Sequence, residues 1–285
     1  MNYSIKKIGA VLSAVTQGND QIKVTGVAFN SRDVKIGDLF VALVADSDGH
    51  RYLQDALDRG AAAVLVDDNH AISEKLPAII VKDTLTALQQ LASYYRQQIN
   101  PKVIAITGSN GKTTTKDMTA AIVSTVFKTF KTPNNFNNEI GVPMTLLSMP
   151  EDTEVLVVEL GMDRSGQLTM LSQLVQPDIA IITMIGEAHI EFFKTRANIA
   201  KAKLEITNGL KADGVLFIPF DEPLLTQAVI MQKVVWFGQD IDAVETASDH
   251  TNFIYKNTRF AIPLIGGYNI MNALAAISAG ILLHI

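Results

Sequence analysis

The sequence contains no cysteine, which excludes a disulfide scaffold, a thiolate zinc site and a cysteine nucleophile, and which fits a reducing compartment. An excess of positive charge is also missing, because 24 lysines and arginines face 29 aspartates and glutamates, for a formal net charge of −5. A nucleic-acid-binding protein normally carries a basic face. No apolar run reaches the roughly 18 residues that span a bilayer. We therefore expect a cytoplasmic protein with no nucleic-acid partner and no membrane insertion.

The N-terminus loosely imitates a signal peptide, because two lysines precede an apolar run over residues 8–15. The apolar side chains recur at helical spacing, however, at Ile5, Ile8, Leu12 and Val15. We therefore predict that this segment is a short amphipathic first helix of the mature fold.

The length of 285 residues predicts two domains, at about 100–200 residues per domain. Hydrophobic residues make up 48% and charged residues 19% of the chain, which excludes disorder as its main state. The first part reads as strands at 24–29, 39–44, 61–66 and 78–81, with helices at 52–59 and 84–98. The second helix ends before Pro101, as expected of the residues ahead of a proline. We predict a first domain at 1–82, a linker helix at 83–101 and a second domain at 102–285.

From residue 102 onward, short apolar runs alternate with helical segments. This pattern is typical of a parallel sheet that is covered by helices on both faces. The predicted strands lie at 103–106, 155–160, 179–184, 215–218 and 234–237, and the predicted helices at 112–126, 197–208 and 269–283. The sequence therefore favours a doubly wound, mostly parallel second domain.

A strand of this domain runs directly into the turn Gly108-Ser-Asn-Gly111 and then into a helix that begins at Lys112. Such a turn points backbone N–H groups inward, and the helix N-terminus adds partial positive charge, so phosphate is favoured there. Lys112 would neutralise phosphate charge, and the Thr113 hydroxyl would bind Mg²⁺. The common phosphate loop has a glycine five residues before Gly111, where this chain has Ile106, so this loop is a shorter form. The candidate phosphate-binding residues are Thr107, Gly108, Ser109, Asn110, Gly111, Lys112, Thr113 and Thr114.

Glu159 stands at the end of the apolar strand 155–160. A carboxylate in such a strand is costly unless it is paired or bound to a metal ion. The carboxyl edge of a parallel sheet is where ligands gather, so Glu159 is a candidate magnesium ligand. The alternative is a carboxylate that a neighbouring lysine or a backbone N–H satisfies.

Three further polar residues follow the strand at 179–184. His189 is one of them, and a lone histidine is more often structural than functional. Lys201 and Lys203 fall in the predicted helix at 197–208, where a lysine normally faces solvent. One of them gains chemical interest only if it is buried beside a metal ion.

The segment Thr107–Thr114 resembles the ATP loop of the Mur ligase family, whose members use ATP to join a carboxylate to an amine. Four further segments match motifs of this family in the same order, at Thr132–Pro143, Glu159–Gly161, His189–Glu205 and Gly267–Ala276. The N-terminal segments Asn30–Arg32, Gly37–Leu43, Asp48–His50 and Gly60–Val66 resemble the branch of the family that adds D-alanyl-D-alanine. The resemblance implies an α/β fold in which a small N-terminal α/β domain binds the UDP-sugar substrate. A doubly wound, mostly parallel P-loop domain then binds ATP.

The resemblance also implies roles for individual residues in the second domain. Lys112, His189 and Lys203 would be catalytic, and the metal ligands for two Mg²⁺ ions would be Thr113, Glu159, His189 and Lys203. Lys203, 14 residues after His189, matches a lysine that such ligases carbamylate. A carbamate is a two-oxygen anion suited to a hard cation, whereas an ammonium would repel it. Lys201 would be its solvated neighbour.

Two groups of residues would bind the organic parts of the substrates. Asn269 and Asn272 match asparagines near the adenine, a role compatible with Asn269 as a helix N-cap. The candidates for uridine or diphosphate contact are Ser31, Arg32, Asp48, Gly49 and His50. The alternative for the last three is a turn that only shapes the first domain.

The implied reaction has two steps in the synthesis of peptidoglycan precursors. The carboxylate of UDP-N-acetylmuramoyl-tripeptide attacks the γ-phosphorus of ATP to give an acyl phosphate, and the amine of D-alanyl-D-alanine then displaces phosphate. Neither step needs a protein nucleophile. Because family members continue beyond this length, we expect a truncated form that is incomplete at the end of its second domain and inactive alone. We also expect a monomer. The alternatives are another Mur-type ligase, such as a third-residue-adding enzyme or a folylpolyglutamate synthase, a P-loop NTPase, and a nucleotide-binding fragment without ligase activity.

Overall fold

A computed structural model describes residues 1–45, 47–70, 72–73 and 76–285. The chain forms two compact units. Unit 1 comprises Met1–Asn100 together with Glu139–Asp152, and unit 2 comprises Pro101–Asn138 together with Thr153–Ile285. The units differ from the predicted division at 82 and 102, because residues 83–101 do not stand apart as a linker and because a later segment joins unit 1. None of the helices in the described ranges is both long and apolar enough to cross a membrane.

The described residues of unit 1 form seven strands, four α-helices and two short 3-10 helices. The strands are β1 (Tyr3–Ser4), β2 (Val15–Gln17), β3 (Lys23–Val24), β4 (Gly26–Ala28), β5 (Asp38–Val41), β6 (Ala63–Asp67) and β7 (Ala78–Val81). The helices are α1 (Ile5–Leu12), α2 (Leu53–Asp58), α3 (Thr84–Ile99) and α5 (Gly141–Ser148), with 3-10 helices at Ser31–Asp33 and Gly49–Tyr52.

Five of these strands form a sheet in the order β2-β7-β6-β5-β4, in which only β2 runs antiparallel to its neighbour. All residues of β5 and β6 are buried, including Asp38 at the start of β5 and Asp67 at the end of β6. The apolar runs between these ends are typical of a sheet that is covered on both faces. The predicted strand at 24–29 is instead two strands, because β3 pairs with β1 and β4 pairs with β5.

The first helix is shorter than its apolar spacing predicts. Ser4 caps α1 by accepting a hydrogen bond from the backbone N–H of Lys7 at 3.1 Å. Ser13 takes a left-handed conformation with φ of +52° and ends the helix. Val15 then begins β2 and is 68% exposed, so its place in the predicted apolar stripe was wrong. Helical spacing did not show the turn that interrupts the helix.

Unit 2 contains nine strands and six α-helices among its residues. The strands are β8 (Lys102–Thr107), β9 (Thr129–Lys131), β10 (Val155–Glu159), β11 (Ile179–Ile182), β12 (Val215–Pro219), β13 (Lys233–Phe237), β14 (Ile241–Thr246), β15 (Thr251–Tyr255) and β16 (Thr258–Ile262). The helices are α4 (Lys112–Val123), α6 (Gln167–Val175), α7 (Ile190–Phe193), α8 (Arg196–Leu204), α9 (Pro223–Thr226) and α10 (Gly267–Leu282), with a 3-10 helix at Glu205–Gly209.

The main sheet of unit 2 has the order β13-β12-β11-β8-β10-β9, and all of its pairs are parallel. The predicted α/β fold class, with a mostly parallel second sheet, is therefore confirmed. Strand β8 lies between β10 and β11, so the chain moves first to one side of β8 and then to the other. The loops after these three strands leave the same carboxyl edge, which is the usual ligand position in such sheets.

A three-stranded antiparallel sheet, β14-β15-β16, was missed by the sequence analysis. Its tight turn between β15 and β16 has two residues, Lys256 and Asn257, and both take positive φ, at +47° and +62°. Two consecutive residues of this kind form the turn that best matches strand twist in a two-residue hairpin. Phe253 and Tyr255 of β15 are buried in the same apolar core as Leu274 of α10.

Candidate functional site

The loop between β8 and α4 has the strand–turn–helix form that the sequence predicts. Gly111 precedes α4 with φ of +80°, and a β-carbon there would collide with the amide oxygen of Asn272. Glycine is therefore required by both the backbone conformation and the close approach. Thr107 is fully buried, and its hydroxyl has no hydrogen-bond partner within the described ranges. Thr114 is half-buried in the first turn of α4.

Two backbone groups and one side chain from the segment after β11 hold this loop in place. The backbone N–H of Gly186 donates to Ser109 Oγ at 2.9 Å, and the N–H of Ser109 donates to the carbonyl of Met184 at 3.0 Å. The Thr183 hydroxyl donates to the carbonyl of Asn110. Thr183 was not predicted as a site residue, although a polar residue directly after a buried strand is a recognisable signal at a ligand-binding sheet edge.

Lys112 folds back over the loop that precedes it. Its Nζ donates to the carbonyl of Gly108 at 2.9 Å and lies 3.4 Å from the carbonyl of Ser109. Burial lowers the pKa of Lys112, and the negative charge of Glu159 opposes that shift. The lysine is thus a partly desolvated cation beside a turn with inward N–H groups, which is an arrangement that favours an anionic ligand.

Glu159 is 2% exposed at the carboxyl end of β10. Thr113 Oγ1 donates to its Oε2 at 2.8 Å, and Asn137 Nδ2 donates to its Oε1 at 2.8 Å. The backbone N–H of Glu159 donates to Thr132 Oγ1 at 2.9 Å. The carboxylate is therefore satisfied by a hydroxyl and an amide rather than by a lysine. A hydroxyl and a carboxylate at this distance provide the hard oxygen ligands that Mg²⁺ prefers, so the two residues fit such an ion.

Lys203 lies in α8 and is 4% exposed, whereas Lys201 is exposed as predicted. Burial, and to a lesser extent the positive charge of Lys112, lower the pKa of Lys203 to about 7. The electrostatic interaction places the two amino groups in the same region of unit 2. A buried amine without a carboxylate partner in the described ranges is unusual, because desolvating a charge is costly unless the charge is paired.

The contacts of the described residues do not join His189 to this group. His189 is exposed, takes φ of +61° and stands immediately before α7. The loop that contains His189 does contact the phosphate loop, but through the hydrogen bond from Gly186 to Ser109 and not through His189. Its role as a metal ligand stays a prediction. The one cluster of three potential metal-binding side chains within the described ranges lies in unit 1 instead, at Asp48, His50 and His70.

The two asparagines of α10 are buried, and Asn272 lies against the phosphate loop at Gly111. Asn272 Oδ1 accepts from the Thr115 hydroxyl at 3.2 Å, and its Nδ2 donates to Asn269 Oδ1 at 3.2 Å. Asn269 Nδ2 donates to the carbonyl of Ile265 at 2.8 Å. The helix begins at Gly267 after an N-cap at Gly266, so Asn269 is not the N-cap.

A cavity of about 600 Å³ opens beside these residues in unit 2. Its lining includes Asn110, Gly111, Thr183, Arg196, Glu222, Tyr268 and Asn272. Arg196 Nη2 donates to Glu222 Oε2 at 2.8 Å and to the carbonyl of Ile185 at 2.9 Å. This ion pair was not predicted, because the spacing of the two residues along the chain does not show that the start of α8 lies beside the start of α9.

In unit 1, the candidates Ser31 and Arg32 differ in accessibility. Ser31 is buried, and the hydrogen bond from its hydroxyl is the largest cause of a lowered pKa at Asp55, followed by the hydrogen bond from Arg59. Arg32 is exposed, and its backbone N–H donates to Asn30 Oδ1 at 3.1 Å. Of these two residues, only Arg32 is accessible, and it is a cation.

The other unit 1 candidates form a tight turn. Gly49 is buried, and a β-carbon there would lie 2.7 Å from the carbonyl oxygen of Leu43. Asp48 Oδ1 accepts from the backbone N–H of His50 at 3.0 Å and contacts His50 Nδ1 at 2.7 Å. The His50 side chain is only 4% exposed.

Comparison with known proteins places these features in one family. The model of the Mur ligase middle domain family matches residues 106–280. The UDP-N-acetylmuramoyl-tripeptide–D-alanyl-D-alanine ligase of Bacillus subtilis is 46% identical over 277 residues, which cover 92% of this chain and 59% of that protein. The chain thus spans about three fifths of the length of this curated relative.

Two solved structures have the same fold. A crystal structure of MurF from Acinetobacter baumannii superposes with a TM-score of 0.90 at 29% identity, covering 100% of this chain and 66% of that one. The MurF ligase from Thermotoga maritima, in complex with ADP, superposes with a TM-score of 0.82 at 30% identity, covering 92% and 64%. The chain belongs to the Mur ligase family, and residues 106–280 are its Mur ligase middle domain.

Proposed function

We propose that this chain carries the substrate- and ATP-binding parts of a ligase that adds D-alanyl-D-alanine to UDP-N-acetylmuramoyl-tripeptide. The observation that carries the proposal is the 2.8 Å hydrogen bond between Thr113 and Glu159 beside the buried amino groups of Lys112 and Lys203. This arrangement suits a triphosphate and a hard cation. The relative from Bacillus subtilis and the MurF structures support the choice of substrates.

In this proposal, residues 107–114 bind the phosphates of ATP and Lys112 neutralises charge at the γ-phosphate. Thr113 and Glu159 hold Mg²⁺, with His189 and carbamylated Lys203 as further ligands of two ions. Bound Mg²⁺ supplies charge neutralisation for two anions that must approach each other. The ADP bound by the Thermotoga maritima structure supports the nucleotide, and the cavity beside Asn272 supports an adenine position.

Positioning supports both steps without a protein nucleophile. The substrate carboxylate oxygen forms a bond to the γ-phosphorus as the bond to ADP breaks, and Lys112 stabilises the developing charge. The amine of D-alanyl-D-alanine then bonds to the acyl carbon, phosphate leaves, and the nitrogen releases a proton. The chain's contribution is to hold the reacting groups together and exclude other orientations.

Carbamylation of Lys203 is part of the proposal. The nitrogen of a neutral amine forms a bond to the carbon of CO₂ and loses its proton, which converts a cation into an anion. The burial of Lys203, beside a second lysine and without a carboxylate partner in the described ranges, supports this change of charge. A mass increase of one carbamate on Lys203 in CO₂-containing buffer would test it, with Lys201→Met as a variant that retains the modification.

Unit 1 is proposed to bind the UDP-sugar through Ser31, Arg32 and the turn Asp48–His50. The exposure of Arg32 supports direct contact with diphosphate, and the burial of Ser31 supports an indirect role. The monomeric state and the cytoplasmic location expected from the sequence stay predictions.

Calorimetry on the 285-residue chain tests the proposal with each ligand separately. We expect binding of ATP that requires Mg²⁺, and independent binding of UDP-N-acetylmuramoyl-tripeptide. Turnover is then assayed with both ligands and D-alanyl-D-alanine. Binding of a folate substrate in place of the UDP-sugar would contradict the proposal in favour of a folylpolyglutamate synthase. ATP hydrolysis that is fast and independent of the UDP-sugar would favour a P-loop NTPase.

A further inference from the structure

Four residues of unit 1 close a ring of hydrogen bonds, through their side chains and one backbone N–H, which we call the His–Asp ring: Asp48, His50, Asp67 and His70. Asp48 Oδ1 contacts His50 Nδ1 at 2.7 Å, and His50 Nε2 accepts from the backbone N–H of Asp67 at 3.2 Å. Asp67 Oδ1 contacts His70 Nδ1 at 2.7 Å, and His70 Nε2 contacts Asp48 Oδ2 at 3.1 Å. The two imidazole rings stack 3.7 Å apart at an interplanar angle of 7°.

The hydrogen bonds determine the proton on His50. Its Nε2 accepts from a backbone N–H, so that nitrogen carries no proton. Its Nδ1 faces a carboxylate oxygen and therefore carries the proton. His50 is thus neutral with one donor and one acceptor, and both are used inside the chain. With 4% of its side chain exposed, His50 has no ring nitrogen left for a substrate.

His70 is in the opposite situation, because both of its nitrogens face carboxylate oxygens, one of Asp67 and one of Asp48. A neutral imidazole can donate only one hydrogen bond, and the second contact would then bring a lone pair against a carboxylate. Only the protonated ring satisfies both contacts. The hydrogen bond to Asp67 is the largest cause of a raised pKa at His70, burial opposes it, and the charges of Asp67 and Asp48 add to it.

The ring joins two parts of unit 1 that are distant in sequence. Asp67 is the last residue of β6, whereas Asp48 caps the 3-10 helix Gly49–Tyr52 that follows β5. Asp48 uses one oxygen for that cap and for His50, and the other for His70. The shape of the turn Asp48–His50 therefore depends on a contact with His70, which is 22 residues away in the sequence.

We propose that protonated His70 is a positioning residue that holds the turn Asp48–His50 in the shape that receives the diphosphate of a nucleotide-linked sugar. This inference rests on the function proposed for unit 1, and it changes the role of Asp48 and His50 from direct contacts to parts of a scaffold. The titratable groups that face His70 within the described ranges are Asp48, Asp67 and the stacked His50.

The sign of the pH dependence follows from these contacts. The pKa of His70 is raised in the folded chain. Both hydrogen bonds from His70, to Asp67 and to Asp48, are therefore made below that pKa, and one of them is lost as pH rises through it. The diphosphate of a UDP-sugar has no proton to lose near neutral pH, so the ligand does not supply this dependence. We expect affinity for UDP-N-acetylmuramoyl-tripeptide to fall about two- to fivefold between pH 6 and pH 8.5, the range of a partly exposed ion pair.

The first experiment needs no substrate. Imidazole nitrogen shifts of the ¹⁵N-labelled 285-residue chain are followed from pH 5.5 to 8.5, with signals assigned by single substitutions. We expect the proton of the neutral His50 ring to lie on Nδ1, and His70 to titrate above the ordinary histidine pKa of about 6.5. A His50 that carries its proton on Nε2, or a His70 that titrates at or below the ordinary value, would overturn the proposal.

The second experiment measures binding of UDP-N-acetylmuramoyl-tripeptide by calorimetry at the same pH values, with His70→Gln and the matched control His250→Gln. His250 also contacts a neighbouring aspartate at 2.7 Å, but it lies in unit 2. We expect His70→Gln to bind weakly at every pH with no pH dependence, whereas His250→Gln follows the unmodified chain. Equal, pH-dependent binding by His70→Gln and the unmodified chain would contradict the positioning role.

The two experiments separate this inference from the proposed function. If the nitrogen shifts are as expected but the unmodified chain binds no UDP-sugar at any pH, the proposed function of unit 1 fails while the protonation pattern of the ring stands. If the chain binds the UDP-sugar with an affinity that does not change with pH, the inference fails while the function stands. Zn²⁺ binding that displaces both imidazole protons and is lost in His70→Gln would show a metal site instead and overturn the proposal.

Discussion

The two candidate sites differ in how their charged groups are satisfied. In unit 2, Lys112 and Lys203 are desolvated, the charge of Lys112 acts on Lys203, and the carboxylate of Glu159 is engaged by Thr113 and Asn137. In unit 1, the His–Asp ring gives each carboxylate and each imidazole nitrogen a partner within the chain.

This difference indicates how each site meets its ligand. Partly or fully buried amino groups that form no ion pair within the described ranges are unfavourable as cations until an anion binds, so the arrangement of the unit 2 site favours an anionic ligand. A ring that satisfies its own polar atoms is a scaffold, and it leaves exposed groups such as Arg32 and backbone N–H groups for contact. Five substitutions would break or sharpen this comparison.

The largest effect is expected from Lys112→Met, which removes the partly buried cation of the phosphate loop. We expect a loss of at least about 30-fold in affinity for Mg²⁺·ATP, because truncating one member of a desolvated charge pair costs roughly 2 kcal/mol or more. Calorimetric titration with ATP measures it. Lys211→Met is the control, since Lys211 is a partly buried lysine of the same unit that pairs with Asp178 at 2.9 Å. Equal affinities for the two variants would contradict the role of Lys112.

Glu159→Gln removes the negative charge but keeps the shape of the side chain. We expect the part of ATP affinity that depends on Mg²⁺ to fall about tenfold, a typical loss when a group that supports a metal ion is changed. ATP titrations in Mg²⁺ and in EDTA measure this part directly. Glu245→Gln, at a carboxylate that is 71% exposed, should leave it unchanged. A similar loss in EDTA would show that Glu159 acts on the fold rather than on the ion.

Lys203→Met should change how stability depends on pH. The folded chain releases the Lys203 proton near pH 7, whereas the unfolded chain keeps it to the ordinary value of 10.5. Between these values the unfolded state binds more protons, so this group makes the free energy of unfolding rise with pH, by at most about 1.4 kcal/mol per pH unit. Urea unfolding at pH 7.5 to 9 in CO₂-free buffer measures the slope. Lys203→Met should have the smaller slope, and identical slopes would sink the idea of an unpaired buried amine.

The smallest effects are expected in unit 1, from the two single variants Arg32→Ala and Ser31→Ala. Arg32→Ala should weaken UDP-sugar binding by up to about fivefold without changing stability, as expected of an exposed charge. Ser31→Ala should lower the melting temperature, because the buried hydroxyl bonds to Asp55, and should leave affinity nearly unchanged. Calorimetric binding and thermal unfolding are measured for both variants. The reverse pattern would show that Ser31 contacts the ligand and Arg32 does not.

Local pattern was enough to predict much of the fold. The strands β8, β10, β11 and β12 were predicted from their apolar runs, because a strand that is buried on both faces is apolar at nearly every position. The glycine turn before α4 predicts the phosphate loop for a similar local reason. The antiparallel sheet β14-β15-β16 escaped because β14 is mostly exposed and lacks a continuous apolar run.

The sequence by itself determined which side chains could carry chemistry and where the phosphate loop lies, since backbone conformation at Gly111 and the apolar periods of strands and helices are local properties. Only the tertiary structure decided which of these groups are paired. Lys203 and Lys201 have the same local pattern, yet packing buries the first and exposes the second. Likewise His70 meets Asp48 through strand order, because hydrogen-bond partners that lie far apart along the chain are chosen by the sheet that joins them.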